Sequence, residues 1–391
     1  MGKRQGSLEG MGMNFWRGRR VLLTGHTGFK GSWLSLWLQM LEAEVCGIAL
    51  DPPTDPSLFH EARIASCMRS EILDIRDRDR VLAVVRDARP EIVLHMAAQP
   101  LVRRSYEDPA GTYSTNVMGT VNILDAVRAC DSVRAVVVIT TDKCYENREW
   151  VWPYRETDRL GGYDPYSNSK ACAELVVAAY RNSFFNFAHD HGHKVAIASA
   201  RAGNVIGGGD WAEDRLVPDI MRAFAAKQVL RIRNPKAIRP WQHVLEPLAG
   251  YLRLAEKLHE VGKPYAEAWN FGPEHSDAKP VEWITRRLAD QWGEEAHWQI
   301  DDGPHPHEAQ ILKLDCSKTA QALEWHPRLP LENALQYTAE WYRQWSAGED
   351  VRTITTRQIQ QYMRILQDNL NGAEAKSTCA DEPPESIHEK D

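Results

Sequence analysis

The chain has 391 residues, 43% hydrophobic and 26% charged, with 47 basic against 54 acidic side chains for a net charge of −7. That length holds two or three domains with ample core, and the acidic balance excludes a broad basic surface that tracks nucleic-acid backbone. No apolar run reaches the roughly 18 residues of a membrane span, and seven cysteines scattered without a CxxC pair exclude a disulfide framework, which points to a cytoplasmic protein with reduced thiols.

Residues 1–13 are polar and glycine-bearing, with no apolar stretch behind their basic residues, so they read as an unstructured leader and not as a secretory signal. Arg20–Gly25 (RVLLTG) is a buried-strand pattern, and the run GSWLSLWLQMLEAE after it is helical. A second strand is expected over Val45–Leu50 and a short third before Asp74. Others follow over Glu91–Ala98, Arg134–Thr141 and Lys194–Ser199. Helical stretches lie around Asn116–Cys130 and Ser167–Ala188. The strands are apolar throughout, as when helices cover both faces of a parallel sheet. This alternation predicts an α/β fold, a Rossmann-like doubly wound parallel sheet with a smaller α/β second domain. Residues 14–203 form the first domain, with 240–273 returning to it, and 204–239 and 274–371 form the second. From 372 to 391 the charged, proline-bearing chain reads as a disordered tail.

Gly25-His26-Thr27-Gly28-Phe29-Lys30-Gly31 lies between the first strand and its helix, with GxxGxxG spacing. Glycines permit a tight turn and close backbone approach, and the helix start offers unpaired N–H groups to a pyrophosphate. A plain structural turn is the competing reading. Gly25, Thr27, Gly28, Phe29, Lys30 and Gly31 are thus candidate dinucleotide contacts. Asp51, twenty residues after Gly31, can accept hydrogen bonds from an adenosine ribose and repels a 2′-phosphate. No arginine follows it, which favours NAD over NADP. Asp74 and Ile75 are placed to border the adenine, and Ala97, Ala98 and Gln99 to lie along the cofactor's middle. Asn116 and Thr140 complete the expected cofactor contacts, together with Tyr166 and Lys170.

Tyr166-Ser-Asn-Ser-Lys170 places a phenol and an ammonium four residues apart on one helix face. A free tyrosine, with a pKa of about 10, is a poor base at neutral pH. A lysine charge and a cationic nicotinamide would both favour the phenolate. Thr141, at the end of the strand before it, can share the substrate hydroxyl's hydrogen bond.

With these motifs in place, the chain resembles the extended short-chain dehydrogenase/reductase superfamily over nearly all of its folded part, and within it the CDP-glucose 4,6-dehydratases. The narrower resemblance is carried by TTDKCYEN (Thr140–Asn147), ARAGNVIGGGDWAEDRLVPD (Ala200–Asp219) and RPWQHVLEPL (Arg239–Leu248). It implies that Tyr166 takes the proton of a sugar 4-hydroxyl while the C4 hydride passes to NAD⁺. Loss of the C5 proton and of the 6-hydroxyl follows, and the hydride returns to C6. Asp142 suits the acid that protonates the leaving hydroxyl. Related dTDP-glucose and GDP-mannose dehydratases carry a glutamate as C5 base where this chain has Lys143. That lysine either acts as the base in its uncharged form or only places charge near the nicotinamide.

For the nucleotide-sugar substrate, CDP-glucose, the expected contacts are Gln99, Arg103, Ser105, Tyr106, Asn204, Gly209, Asp210, Trp211, Arg215, Leu216, Arg233 and Arg239. Guanidinium forks fit a diphosphate, and the Gly207–Gly209 triplet lets backbone N–H groups approach phosphate oxygens. Trp241 and His243 read equally as packing or as contacts. The resemblance also implies a homodimer, or a tetramer, through helices at about 113–130 and 166–187. His189, His191 and His193, and His305, His307 and Glu308, are read as loop residues and not as a metal site. Another sugar-nucleotide dehydratase, a 4-epimerase and a non-catalytic cofactor-binding scaffold remain the alternatives.

Overall fold

The apolar runs become strands in the computed structural model, which describes residues 13–185, 194–301, 303 and 311–378. In chain order these are β1 (Arg20–Thr24), β2 (Glu44–Ala49), β3 (Arg69–Ile72), β4 (Ile92–His95), β5 (Ala135–Ile139) and β6 (Ala196–Ala202). They continue as β7 (Asn204–Ile206), β8 (Leu230–Ile232), β9 (Ile238–His243), β10 (Ala268–Phe271), β11 (Ala278–Pro280) and β12 (Trp298–Ile300). Seven of them form one sheet in the order β10-β6-β5-β4-β1-β2-β3. Every neighbouring pair in it is parallel. The order reverses between β1 and β4, which opens a crevice at the carboxyl ends of those strands.

Alternate residues of each strand point to opposite faces, so each face builds its own core. Val21, Leu23, Leu94 and Val137 meet Trp33, Trp37, Leu248 and Leu252 on one side. Leu22, Val93, Val136 and Ile197 meet Val85, Ile123, Leu124 and Val127 on the other. The helix Phe29–Met40 is buried continuously from Gly31 to Leu38, which explains why its sequence is apolar on every side. The sheet covers one flank of it. The final helix, Val351–Thr378, packs against it with Tyr362 edge-on to Trp37 and Arg352 Nη2 donating to Gln39 Oε1 at 2.9 Å.

The terminal helix, expected with the second domain, touches both domains. It meets the helix Leu331–Ser346, with Trp341 Nε1 donating to Thr355 Oγ1 at 3.0 Å and Gln358 Nε2 to Tyr337 O at 2.8 Å, as well as Phe29–Met40. It also runs to Thr378, past the boundary at 371, because Ala, Glu and Lys in its last turns favour helix. The helix Leu245–Glu260 buries its apolar side chains in the core beside the sheet, and β10 pairs with β6. Residues 240–243 stand apart, since β9 pairs with β7 and β11 in a small separate sheet. The parallel pair β8–β12 and the helices Leu216–Ala225, Val281–Trp292 and Leu331–Ser346 complete the second domain.

Candidate active site

The turn after β1 is built as its spacing requires. Gly25 has φ +78°, and a Cβ there would sit 2.8 Å from the Ala97 nitrogen. At Gly31 a Cβ would meet the Gly25 carbonyl oxygen at 2.0 Å. Gly28 differs, since its Cβ would make only an ordinary 3.5 Å contact. The fold does not demand a glycine there, whereas a diphosphate pressed against the backbone does. Gly28 is also the N-cap of Phe29–Met40 without a side-chain cap, which leaves the first N–H groups of that helix for an anion. The loop therefore fits a dinucleotide. Thr27 Oγ1 donates to Leu50 O at 2.8 Å and ties it to the end of β2, where Asp51 is exposed.

Two domains enclose a cleft of about 950 Å³ over the carboxyl ends of the sheet. Phe29, Lys30, Ala98, Thr141, Asp142, Lys143, Tyr166 and Lys170 all face it. Asp164 caps the helix Pro165–Ser183 by accepting from Ser167 N at 2.9 Å, with Pro165 at the first helical position. That start fixes Tyr166 and Lys170 one turn apart beneath the cleft. Burial pushes the Tyr166 phenol up to about 12, with the Thr141 hydrogen bond opposing. Burial brings Lys170 down to about 8, and its Nζ donates to Ile139 O at 3.1 Å. Thr141 Oγ1 donates to Asp142 Oδ1 at 3.0 Å. Asp142 Oδ2 is buried with no hydrogen-bond partner among the described residues, and burial raises the carboxyl above the ordinary carboxylate range. Burial of this kind favours the protonated acid over the carboxylate.

In and behind the cleft wall stand groups whose surroundings the motifs did not announce. Lys30, read as a cofactor contact, has its Nζ 5.8 Å from the ring centroid of Tyr251. Burial, then the charges of Lys170 and Arg215, lower it to about 7. Tyr251 on the helix Leu245–Glu260 is fully buried with its hydroxyl unpartnered, close enough to Tyr166 and Asp142 to feel their charge. Its only sequence signal was helical spacing, one turn beyond the matched segment that ends at Leu248. Asp214 reaches Arg103 at 2.9 Å and Arg233 at 3.4 Å, which links the two domains across the cleft.

Tyr106, Asn204, Asp210, Arg215, Leu216, Arg233 and Arg239 line the cleft with Arg103, as expected for substrate contacts. Arg215 Nη1 donates to Asp210 Oδ2 at 2.8 Å. Trp241 does both jobs left open for it, facing the cleft while its Nε1 donates to Lys279 O at 2.9 Å.

Several expected contacts are engaged elsewhere. Both ends of the Gln99 amide are taken, by Leu101 N at 2.6 Å and Thr112 Oγ1 at 2.9 Å. Asn116 accepts from Gln99 N at 2.8 Å and donates to Ser169 Oγ at 2.8 Å. Ser105 Oγ donates to Val102 O at 2.6 Å. These three shape the loop after β4 and do not line the cleft. Thr140 Oγ1 donates to Glu174 Oε1 at 2.5 Å, inside a buried network where Arg201 and Ser199 grip the same carboxylate. Its hydroxyl is thus committed to the protein. Asp74 is held by Arg76, its Oδ1 accepting from the Arg76 backbone N–H at 2.9 Å. Ile75 is buried, and a Cβ on Gly119 would meet its side chain at 2.4 Å. Ala97 N donates to Thr24 Oγ1 at 3.0 Å beneath the turn.

In the glycine triplet Gly207 lines the cleft, whereas Gly208 and Gly209 serve packing. A Cβ on Gly208 would sit 2.0 Å from the Trp341 ring, and Gly209, at φ +78°, abuts Leu58 at 3.0 Å. Trp211 stacks edge-on to Trp341 and Trp345 in the core behind. His243 is fully buried between Trp33 and Tyr337 and is lowered by burial to about 3, so it is a packing residue. Gly208→Ala should therefore cost about 1–3 kcal/mol by overpacking, read as a fall in thermal midpoint with unchanged KM for substrate in the protein that remains folded. A rise in KM without loss of stability would put Gly208 in the binding site instead. Both histidine tracts, 189–193 and 305–308, lie outside the described residues.

A family model for GDP-mannose 4,6 dehydratase matches residues 22–338. A CDP-glucose 4,6-dehydratase of Salmonella typhimurium is 57% identical over 350 residues, 90% of this chain and 98% of that protein. The chain belongs to the CDP-glucose 4,6-dehydratase branch of this family. A dTDP-glucose 4,6-dehydratase of Escherichia coli is 26% identical over 70% of this chain and 78% of its own. Among solved structures, a Streptomyces venezuelae dTDP-glucose 4,6-dehydratase with NAD bound superposes with a TM-score of 0.71 at 21% identity, covering 85% of this chain and 99% of its own. A Stenotrophomonas UDP-glucose 4-epimerase with bound NAD gives 0.73 at 21% identity, with 84% and 99% covered. At that identity the likeness speaks for the fold. It places the dehydratase and the epimerases on one doubly wound scaffold, so the chemistry is decided by the side chains of the cleft.

Proposed function

We propose that the protein is an NAD-dependent CDP-glucose 4,6-dehydratase that makes CDP-4-keto-6-deoxyglucose and water, in the supply of deoxysugars for surface polysaccharide. The observation that carries this reading is Asp142, a buried carboxyl with one oxygen free, set beside the Thr141–Tyr166 pair. An epimerase needs no acid there, because it expels no hydroxyl.

When bound, NAD⁺ would supply the acceptor for the hydride leaving C4 and, once reduced, the donor of that hydride to C6. The remaining work falls to the chain. Gly28 and the open start of Phe29–Met40 hold the diphosphate of the cofactor, with Asp51 on its ribose. Tyr166 accepts the proton of the 4-hydroxyl, with Thr141 sharing that hydrogen bond and Lys170 favouring the phenolate. The 4-ketone so formed acidifies the C5 proton, and Asp142 protonates the departing 6-hydroxyl. Lys143 faces the cleft beside Asp142, either as the C5 base or as a charge opposed to the nicotinamide. If the second holds, Lys143→Glu should tighten NAD⁺ retention about tenfold or more, measured by equilibrium dialysis. Unchanged or weaker retention would leave the base role.

Arg103, Arg215, Arg233 and Arg239 are the donors for the substrate diphosphate. A homodimer is supported by Met118, Leu175 and Phe184, large apolar side chains left exposed on or beside the helices Gly119–Arg128 and Pro165–Ser183. The six described cysteines are all free thiols, and no described helix is long and apolar enough to cross a membrane, in keeping with cytoplasmic work. The test is to incubate the protein with NAD⁺ and, separately, CDP-, dTDP-, UDP- and GDP-hexoses, and to follow each by mass. Loss of one water from CDP-glucose alone is the expected result. Loss from another nucleotide would discard the cytosine preference, and no mass change with any would discard dehydration.

A further inference from the structure

The amino ends of the central strands carry a second concavity, of about 530 Å³, on the side of the sheet opposite the cleft. Arg19 and Arg20 enter it from the start of β1, Arg89 and Glu91 from the approach to β4, and Asp131 and Arg134 from the approach to β5. Four guanidinium groups therefore face two carboxylates.

The way these cations are held is informative. Arg19 Nε donates to Phe15 O at 3.2 Å, and Arg20 Nε to Arg89 O at 2.8 Å. Arg134 Nη1 donates to the carbonyls of Asp131 at 2.7 Å and Val133 at 2.9 Å. A backbone carbonyl fixes where a guanidinium points without cancelling its charge. Glu91 serves two of the four, reaching Arg19 at 2.9 Å and Arg20 at 3.8 Å. Neither Arg89 nor Arg134 has an ion-pair partner among the described residues. Ser132 adds a hydroxyl beside them, oriented by its bond to Pro90 O at 2.8 Å.

Such a set has surplus positive charge, fixed directions at Arg19, Arg20 and Arg134, and room for several oxygens. A single carboxylate would leave most of its donors idle. A chain of phosphates presents oxygens on all sides and matches guanidinium forks bidentately. The geometry points to a binding site for a di- or triphosphate chain, free or carried by a nucleotide, at the amino ends of β1, β4 and β5. It is separate from the catalytic cleft and does not rest on the assigned reaction.

Sodium tripolyphosphate, CTP and ATP are the probes, titrated calorimetrically into the full-length protein with CDP in excess to fill the cleft. The expected result is one CDP-insensitive tripolyphosphate site per chain, weakening as ionic strength rises. In Arg89→Asn/Arg134→Gln it should weaken at least tenfold while CDP-glucose turnover stays within twofold of normal. Asparagine tolerates the left-handed backbone at Arg89, φ +43°, and glutamine keeps a donor for the carbonyls at 134, so both changes spare the fold. Binding of CTP and ATP alongside tripolyphosphate would identify a nucleotide as the carrier, and binding of tripolyphosphate alone a free polyphosphate. No CDP-insensitive binding, or binding that survives intact in the variant, would overturn the site. Should the cleft itself fail to take CDP, the comparison between variant and parent still reads this site.

Discussion

Tyr166→Phe is expected to slow oxidation at C4 by about 10²–10⁴-fold, the usual contribution of a positioned general base. The change removes one oxygen from a buried ring and leaves its packing intact, so the thermal midpoint should hardly move. The measurement is single-turnover absorbance of reduced nicotinamide after CDP-glucose is added, alongside product mass. The same group sets a pH dependence. Without the cationic cofactor the phenol stands at about 12 and Lys170 at about 8. Raising the pH favours the phenolate, but above about 8 Lys170 loses the proton whose charge supports it. The parent rate should climb towards pH 8 and then level or fall, and the variant should lack the climb. Near-normal turnover in Tyr166→Phe would remove the base assignment.

Asp142→Asn should separate the two halves of the reaction. Asparagine has nearly the shape of aspartic acid and can still accept the Thr141 hydroxyl, but it has no acidic proton. Oxidation at C4 should proceed, reduced nicotinamide should accumulate to about one equivalent, and water loss should be slower by about 10²–10⁴-fold. Quenched samples would then contain a 4-keto hexose that retains its 6-hydroxyl. If no reduced nicotinamide appears, Asp142 acts earlier than elimination and its role as the acid is wrong. The pH response has a definite sign. Burial raises the Asp142 carboxyl, so the protonated acid survives above the ordinary carboxylate range, and elimination should fail as pH rises and not as it falls.

What could be read from the sequence was whatever is local. The glycine turn, Tyr166 with Lys170, and Thr141 with Asp142 each depend on neighbours within a few positions, and the structure brings all of them to one cleft. Gln99, Asn116 and Ser105 stay off the cleft lining, and Thr140 lines it with its hydroxyl bonded to the protein, because their polar atoms are claimed by partners that spacing does not reveal. Thr140, for example, meets Glu174 34 positions away. Trp211 and Gly208 looked like ligand residues because a glycine-rich loop with an aromatic serves phosphate binding and tight packing equally well. Only Trp341, distant in sequence, decides between them. Tyr251 was passed over for the opposite reason, since an apolar helix hides which of its residues turns a hydroxyl towards the chemistry.

The seat of the terminal helix on Phe29–Met40 has a consequence for how the protein is made. Arg352 and Gln39 are separated by 313 residues, and a ribosome adding about 5–20 residues per second needs roughly a quarter of a minute to a minute to cover that distance. Throughout that interval the face of Phe29–Met40 that carries Trp37 lacks the helix that covers it. β6 also waits for β10, 66 residues further on, before its edge is closed. Contacts this distant in sequence slow folding, so the nascent chain carries exposed apolar surface for most of its synthesis. Refolding from denaturant should accordingly be slow, its yield should fall as protein concentration rises, and a holdase chaperone should restore it.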